Sequence, residues 1–298
     1  MKKKNFLSLQ DIIKKLENFW EKNGCSIIPS LDIPIGAGTF HKETFFNAIS
    51  SKNFSKIYLQ ACRRPIDSRN TESKNRLQYY HQIQVIINPP PENIQEKYIN
   101  SLKDLNINTK EQDIKFIEDN WENKTIGASG TGWEVRINGL EITQFTYFQK
   151  MANLECNPST VEITYGLERI AMHIQNKKNI YELIWDKKKN KKIKYKEMFF
   201  QNEIEQSIYN LKKSNLKEIF YFLEKNIIEA KRLISLKNPL IFPSYEHMLL
   251  SIHQFNLLEA RKCLSVVERY NHISKIRNLS REIAIAYCTK NKIKYKKK

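Results

Sequence analysis

The 298-residue sequence has no run approaching the ~18 uncharged apolar residues that a membrane span requires, so no membrane partner is expected. After the basic start Met1-Lys-Lys-Lys-Asn5 come Asp11, Lys14, Lys15 and Glu17, where a secretion signal needs unbroken apolar chain. Cysteine is sparse. Cys25, Cys62, Cys156, Cys263 and Cys288 are scattered without a Cys-x-x-Cys pair, which speaks against a zinc knuckle or a disulfide frame and suits a reduced cytoplasm. No internal repeat at solenoid periods is visible. Arginine is the scarce base, only eleven of 50 basic residues, although the formal charge reaches +18. That charge fits a phosphate-rich partner, but a Lys-, Asn- and Ile-rich mixture also follows from an AT-rich genome, so charge alone decides nothing.

The residues that are plentiful fall into two patterns. Leu9, Ile12, Ile13, Leu16, Phe19 and Trp20 recur at helical spacing, with Ser8 as N-cap and Asn23-Gly24 as stop, and Cys25–Ile28 reads as a short strand running into Pro29. From about 56 to 165 strands dominate: Lys56–Cys62 and Gln78–Ile87 flank a polar loop, and Asp113–Glu118 is a further short strand. Pro89-Pro90-Pro91 ends the second of these, and Glu92–Leu105 reads as a helix. Trp133–Ile137 and Leu140–Gln149 flank Asn138-Gly139, a two-residue turn that joins only antiparallel strands. After Leu167–Gln175 and a lysine-rich loop, Lys187–Lys194, helices are expected near 196–213, 215–235, 244–256, 258–270 and 272–288, with Pro239–Pro243 as a hinge and Lys296–Lys298 as a solvated tail. The fold class is α+β: an antiparallel sheet flanked by helices over residues 1–180, followed by an all-helical region over 181–298.

Four groups of residues carry the chemistry. In Gln78–Ile87 the alternate residues Gln78, Tyr80, Gln82 and Gln84 share one face, and neutral amides with an aromatic ring suit a concave ligand site better than a solvated surface. The preceding loop holds Arg63, Arg64, Arg69 and Arg76, four of the eleven arginines. Keeping Arg in a Lys-rich chain suggests bidentate contact with phosphate or carboxylate, the alternative being a loop salt-bridged to Asp67 and Glu72. Glu141 and Thr143 share one strand face and Gln144 takes the other; the partner of Glu141 is a substrate ammonium or Arg136. Finally, Glu162-Ile-Thr-Tyr-Gly-Leu-Glu-Arg169 runs from a strand through Gly166 into a helix, placing Arg169 in a first turn that favours anions.

Strand, arginine loop and strand resemble motif 2 of the class II aminoacyl-tRNA synthetases, and Gly166-Leu-Glu-Arg169 opening a helix resembles motif 3. The first helix with Asn23-Gly24-Cys25 and a nearby proline is similar to the dimer-forming motif 1. Gly36-Ala-Gly-Thr39, Glu118-Asp-Asn-Trp-Glu-Asn123, Gly139–Gln149 and Phe255-Asn-Leu-Leu-Glu-Ala-Arg261 narrow the likeness to the alpha subunits of two-subunit bacterial glycyl-tRNA synthetases, over about residues 6–288. The family's pattern places the proline one position after Pro29, and it has Tyr where His81 stands, Trp where Ser129 stands and two glycines where Ala152-Asn153 occur. His81 is read as structural because it lies opposite Tyr80.

The resemblance implies an enzyme that activates glycine with ATP and magnesium, then transfers it to the 3′ end of glycine tRNA together with a beta subunit, as an alpha homodimer within an alpha2beta2 assembly. It implies that Arg63 or Arg64 holds the α-phosphate, Arg76 clamps the phosphates, and Arg169 meets the γ-phosphate and one adenine face. Tyr80 would stack on adenine, with Gln78, Gln82 and Gly166 completing the ATP site. Glu162 and Thr164 would take the glycine ammonium, and Glu141, Thr143 and Gln144 would finish the pocket. A related synthetase for another amino acid, a non-catalytic tRNA-binding relative and a generic basic RNA-binding protein are the competing readings.

Overall fold

The computed structural model describes residues 6–50, 52–69, 71–188 and 191–295; the tail reading at Lys296–Lys298 lies outside the described residues. Helix α1 (Leu9–Lys22) starts where Ser8 and Asp11 form a capping box and ends at Asn23, after which Gly24 takes φ +92°, open to glycine at no steric cost. The chain continues through β1 (Ser26–Ile27), α2 (Lys42–Ala48), β2 (Phe54–Arg63), β3 (Tyr79–Asn88) and α3 (Ile94–Asp104). Four long strands follow, β4 (Ile114–Asn123), β5 (Ala128–Ile137), β6 (Leu140–Met151) and β7 (Leu154–Gly166), and then α4 (Leu167–Gln175). These strands form one seven-stranded sheet in the order β1-β2-β3-β7-β6-β5-β4, antiparallel except for the β1–β2 pair.

Two-residue turns set much of this register. Asn138 and Gly139 sit at φ 50° and 82°, as the Asn-Gly signal required. Ala152 and Asn153, at φ 53° and 56°, make an equivalent turn between β6 and β7, the position where the family pattern has two glycines. Strand β4 runs five residues beyond the expected Asp113–Glu118, because pairing with β5 carries it out to Asn123. Of Cys25–Ile28 only β1 is a strand.

Beyond α4, a small hairpin of β8 (Ile184–Lys188) and β9 (Lys191–Lys194) stands where the sequence suggested a lysine-rich loop. Its lysines do not alternate; cross-strand pairing of Ile184 with Lys194 and of Asp186 with Ile193 makes the hairpin. The helices are α5 (Tyr195–Ile208), a π-helical turn at Tyr209–Lys213, α6 (Leu216–Ile234), α7 (Ile241–Ala260) and α8 (Val266–Lys290). Pro243 is the third residue of α7, where no intrahelical N–H bond is lost, so Pro239–Pro243 is not one continuous hinge. The expected helices 258–270 and 272–288 resolve into the last residues of α7 and one continuous α8: Lys262, at φ 53°, closes α7, and no glycine or proline interrupts 266–290.

The sheet separates two apolar clusters. One packs α1, α3 and α4 on one face through Leu16, Trp20, Tyr98, Phe145, Tyr165 and Ile170. The other joins the segment Leu31–Ile49 and the far end of the β5–β7 strands to α6, α7 and α8. The helical region thus shares a core with the sheet. Within the first cluster a polar relay is fully enclosed: Trp20 Nε1 donates to the Tyr165 hydroxyl at 3.0 Å, which is 2.7 Å from Ser101 Oγ. Removing the hydroxyl strands a buried indole N–H. Tyr165→Phe is therefore expected to destabilise the protein by about 1–3 kcal/mol in urea unfolding, and an unchanged midpoint would contradict the relay's role.

Candidate functional site

Pairing register brings the polar residues of three strands into rows. Gln84 of β3 lies opposite Thr164 of β7, which lies opposite Gln144 of β6. On one side of this row Thr146 faces Glu162, and on the other Gln82 faces Gly166. The rows open into a cavity of about 730 Å³, within the usual span of ligand pockets.

A loop before α2 is tied down over the same face. Gly38 N donates to Gln82 Oε1 at 3.0 Å, the Tyr58 hydroxyl donates to Gly38 O at 3.0 Å, and the Tyr80 hydroxyl donates to Gly36 O at 2.8 Å. The approach is so close that a Cβ on Gly38 would stand 2.3 Å from the Gln84 side chain. This loop delivers Thr39, whose hydroxyl donates to Glu162 Oε2 at 2.7 Å.

Glu162 is 2% exposed, and its second oxygen, Oε1, has no hydrogen-bond partner. Burial pushes its carboxyl up to about 7, against the opposing pull of the Thr39 hydroxyl. Gln84 shares the neighbourhood: its Oε1 accepts from Thr164 Oγ1 at 2.5 Å while its Nε2 is buried and unpartnered. A carboxylate oxygen and an amide nitrogen left open at the floor of a cavity are groups that a small zwitterion can satisfy.

The cavity's cationic side is built by Arg64, Arg76 and Arg169, all of which line it. Arg64 Nε donates to Gly36 O at 3.1 Å, and its guanidinium lies 5.3 Å from the centre of the Tyr80 ring. Arg76 reaches Asp67 at 3.6 Å and is largely exposed. Arg169 Nη1 binds Glu141 Oε2 at 2.6 Å. Arg63 and Gln78 are not among the lining residues. Arg63 pairs with Tyr79 on the opposite strand face, 5.8 Å from its ring centre. Gln78 precedes β3 and is buried beneath the loop. Arg69 spends its guanidinium on the carbonyls of Ile66 and Ser68.

Of the two partners open to Glu141 in the sequence, Arg136 is bound instead to Glu134 at 2.9 Å, and here Arg169 holds Glu141. The strand alternation that joined Glu141 to Thr143 is broken by a β-bulge: Arg136 faces Glu141 and Val135 faces Thr143. Thr143 is buried with its hydroxyl unpartnered, and Gln144 Nε2 donates to Asp119 Oδ2 at 2.9 Å; Glu141, Thr143, Gln144 and Thr164 all line the cavity. His81 is structural, as its face required: Glu168 Oε1 accepts from its backbone N and meets its Nδ1, both at 2.9 Å, among Trp185 and Phe199.

Sequence reasoning gave no role to Thr39, Gln84, Trp121 or Asn256, which also line the cavity. Gln84 stood on the polar strand face already recognised, and the others lay inside quoted motifs, but only the fold shows them converging.

A strand–arginine loop–strand unit and a strand–glycine–helix unit, side by side on an antiparallel sheet, define a class II aminoacyl-tRNA synthetase. The model of the glycyl-tRNA synthetase alpha subunit family matches residues 9–292, and the chain belongs to that family. It is 55% identical over 283 residues to the glycine–tRNA ligase alpha subunit of Buchnera aphidicola subsp. Baizongia pistaciae, covering 95% of this chain and 94% of the relative. It is 51% identical over 281 residues to that of Wigglesworthia glossinidia brevipalpis, covering 94% and 93%. Likeness to solved structures is more distant: a pyrrolysyl tRNA synthetase of Desulfitobacterium hafniense gives a TM-score of 0.40 at 12% identity, covering 61% of this chain and 74% of that one.

Because the Gly38 loop rests directly on a buried, anchored Gln84, Gly38→Ala is expected to cost about 1–3 kcal/mol. Chemical unfolding of that variant checks this, and a wild-type midpoint would contradict the packing described.

Proposed function

We propose that the chain is the catalytic subunit that joins glycine to ATP as glycyl-adenylate and, with a beta subunit, passes glycine to the 3′ end of glycine tRNA. The observation that carries the reading is the buried Glu162 with one open oxygen, sharing one cavity with Arg64, Arg76 and Arg169. Glu162 takes the glycine ammonium, with Thr39 and Thr164 holding the surrounding polar groups in place. Gln84 Nε2 is free to donate to the substrate.

Of the two candidate arginines, Arg64 is assigned to the α-phosphate, because it lines the cavity and Arg63 does not. Arg76 and Arg169 flank the remaining phosphates, and Tyr80 forms the wall for adenine beside Gln82 and Gly166. Arg169 would turn from Glu141 toward ATP; both side chains are about a third or more exposed, so the pair opens at small cost. Were magnesium to accompany the nucleotide, Glu141 and Glu259, which line the cavity, would hold it through carboxylate oxygens, and its charge would offset that of the phosphates.

The glycine carboxylate attacks the α-phosphorus in line and pyrophosphate leaves. No covalent enzyme intermediate and no general base are needed, since a carboxylate is already a competent nucleophile. The protein supplies positioning and charge stabilisation. The terminal ribose hydroxyl of the tRNA then attacks the adenylate carbonyl and AMP departs. Residues 1–180 carry most of this chemistry in the cytoplasm, with Ile252, Asn256 and Glu259 of α7 closing the cavity, residues 181–298 as the region for the beta subunit, and an alpha homodimer at the core of an alpha2beta2 enzyme. The five cysteines are free thiols, and no helix among the described residues is long and apolar enough to cross a membrane.

Glycine-dependent ATP–pyrophosphate exchange, run with and without beta subunit, tests the activity. Exchange is expected with glycine and not with alanine or serine, falling about a hundredfold or more in Arg169→Ala and Glu162→Ala. No exchange with any amino acid, even with beta subunit present, would favour a non-catalytic role.

The raised Glu162 carboxyl adds a second expectation. Its folded-state value of about 7 lies above the ordinary 4.5, so the group is mostly protonated at pH 6 and must ionise to pair with an ammonium. Glycine binding should release close to one proton per site at pH 6 and almost none at pH 8.5, as read by calorimetry in buffers of differing ionisation heat. The same burial makes stability greatest below pH 4.5 for this group and lost as pH rises through 7. Equal proton release at both pH values would rule Glu162 out as the ammonium partner.

A further inference from the structure

The arginine loop between β2 and β3 is solvent-exposed at Glu72, Lys74, Asn75 and Arg76, yet it must hold Arg64 and Arg76 at the cavity. Two of its buried polar residues, Ser68 and Gln78, are each gripped by a side chain from the helical region. Glu203 of α5, 3% exposed, accepts from Gln78 N at 2.9 Å. Gln78 O in turn accepts from Arg64 N at 2.7 Å, so two hydrogen bonds lead from α5 to the backbone of the cavity arginine. At the other end of the loop, Asn210 Nδ2 donates to Ser68 Oγ at 3.0 Å, with both residues buried. Asn210 lies in the π-helical turn, an irregularity that re-aims side chains, and that turn is itself held where Arg261 Nη1 donates to Ser214 O at 2.8 Å.

We propose that Glu203 and Asn210 are positioning residues for ATP, fixing from the helical region the loop that presents Arg64 and Arg76 to the phosphates. The proposal rests on the cavity being the ATP site, as argued above. Neither side chain lines the cavity, so each acts only through the loop. What the loop takes from Glu203 is an acceptor oxygen for Gln78 N, and burial pushes the carboxyl up to about 7. Glutamine at this position keeps that oxygen; alanine does not.

The test is ATP affinity by isothermal calorimetry on the full chain, alongside glycine affinity and melting temperature. Glu203→Ala and Asn210→Ala are each expected to weaken ATP about tenfold while glycine affinity stays within about twofold, and Glu203→Gln should recover most of the loss. ATP affinity unchanged in Asn210→Ala, or ATP and glycine weakened in parallel, would overturn the proposal and leave these residues as ordinary packing. Should Glu203→Ala fail to fold, Ser68→Ala and the Ser68→Ala/Asn210→Ala double variant decide: a double loss no larger than either single loss is expected, and additive losses would contradict the link. Wild-type chain that binds ATP but shows no glycine-dependent exchange would sink the activity proposed above without touching this inference. Wild-type chain that binds no ATP would overturn both.

Discussion

The register between β3 and β7 is the constraint on which the rest depends. Because Gln84 meets Thr164 and Gln82 meets Gly166, a polar face on one strand continues across the next two and becomes a floor. A slip of one residue would turn Ile83, Val85 and Ile163 into the cavity and drive the glutamines and Glu162 into the apolar cluster under α1 and α3. The cost of that alternative is prohibitive, since each buried amide or carboxyl would lose its partners. The residues that define the site and those that stabilise the sheet are therefore opposite faces of the same strands.

Given that floor, the other parts serve to place a lid and a charge. The Gly36–Thr39 loop is drawn down by Gln82, Tyr58, Tyr80 and Arg64, and brings Thr39 to Glu162. The cationic groups arrive from two directions, Arg64 and Arg76 from the loop between β2 and β3, and Arg169 from the first turn of α4. Helix α7 completes the enclosure with Ile252, Asn256 and Glu259. A small acidic pocket beside a diffuse positive one is what the proposed pairing of an amino acid with a nucleotide requires.

Much of this was legible in the sequence where local chemistry is self-sufficient. The capped helix at Leu9, the Asn138-Gly139 hairpin, the amide face of β3 and the turn at Gly166 all depend on residues within a few positions of one another. Legibility failed where the answer depended on distant partners. Strand alternation grouped Glu141 with Thr143, but a bulge imposed by β5 broke the alternation. Arg63 and Arg64 are adjacent and chemically equal, so only pairing of Arg63 with Tyr79 shows which one turns away. Gln78 fitted the period of the polar face but lies one residue before the strand, where its backbone serves Arg64 and Glu203. The hairpin of β8 and β9 was hidden by its run of lysines, which reads as a loop until cross-strand pairing holds it.

The most direct test of the account is a crystal structure of the chain with a non-hydrolysable sulfamoyl analogue of glycyl-adenylate. The account predicts the analogue's ammonium within hydrogen-bond distance of the Glu162 carboxylate, with Arg64 facing the group that replaces the α-phosphate. An ammonium seated elsewhere with Glu162 still unpartnered, or Arg63 in the place given to Arg64, would contradict it.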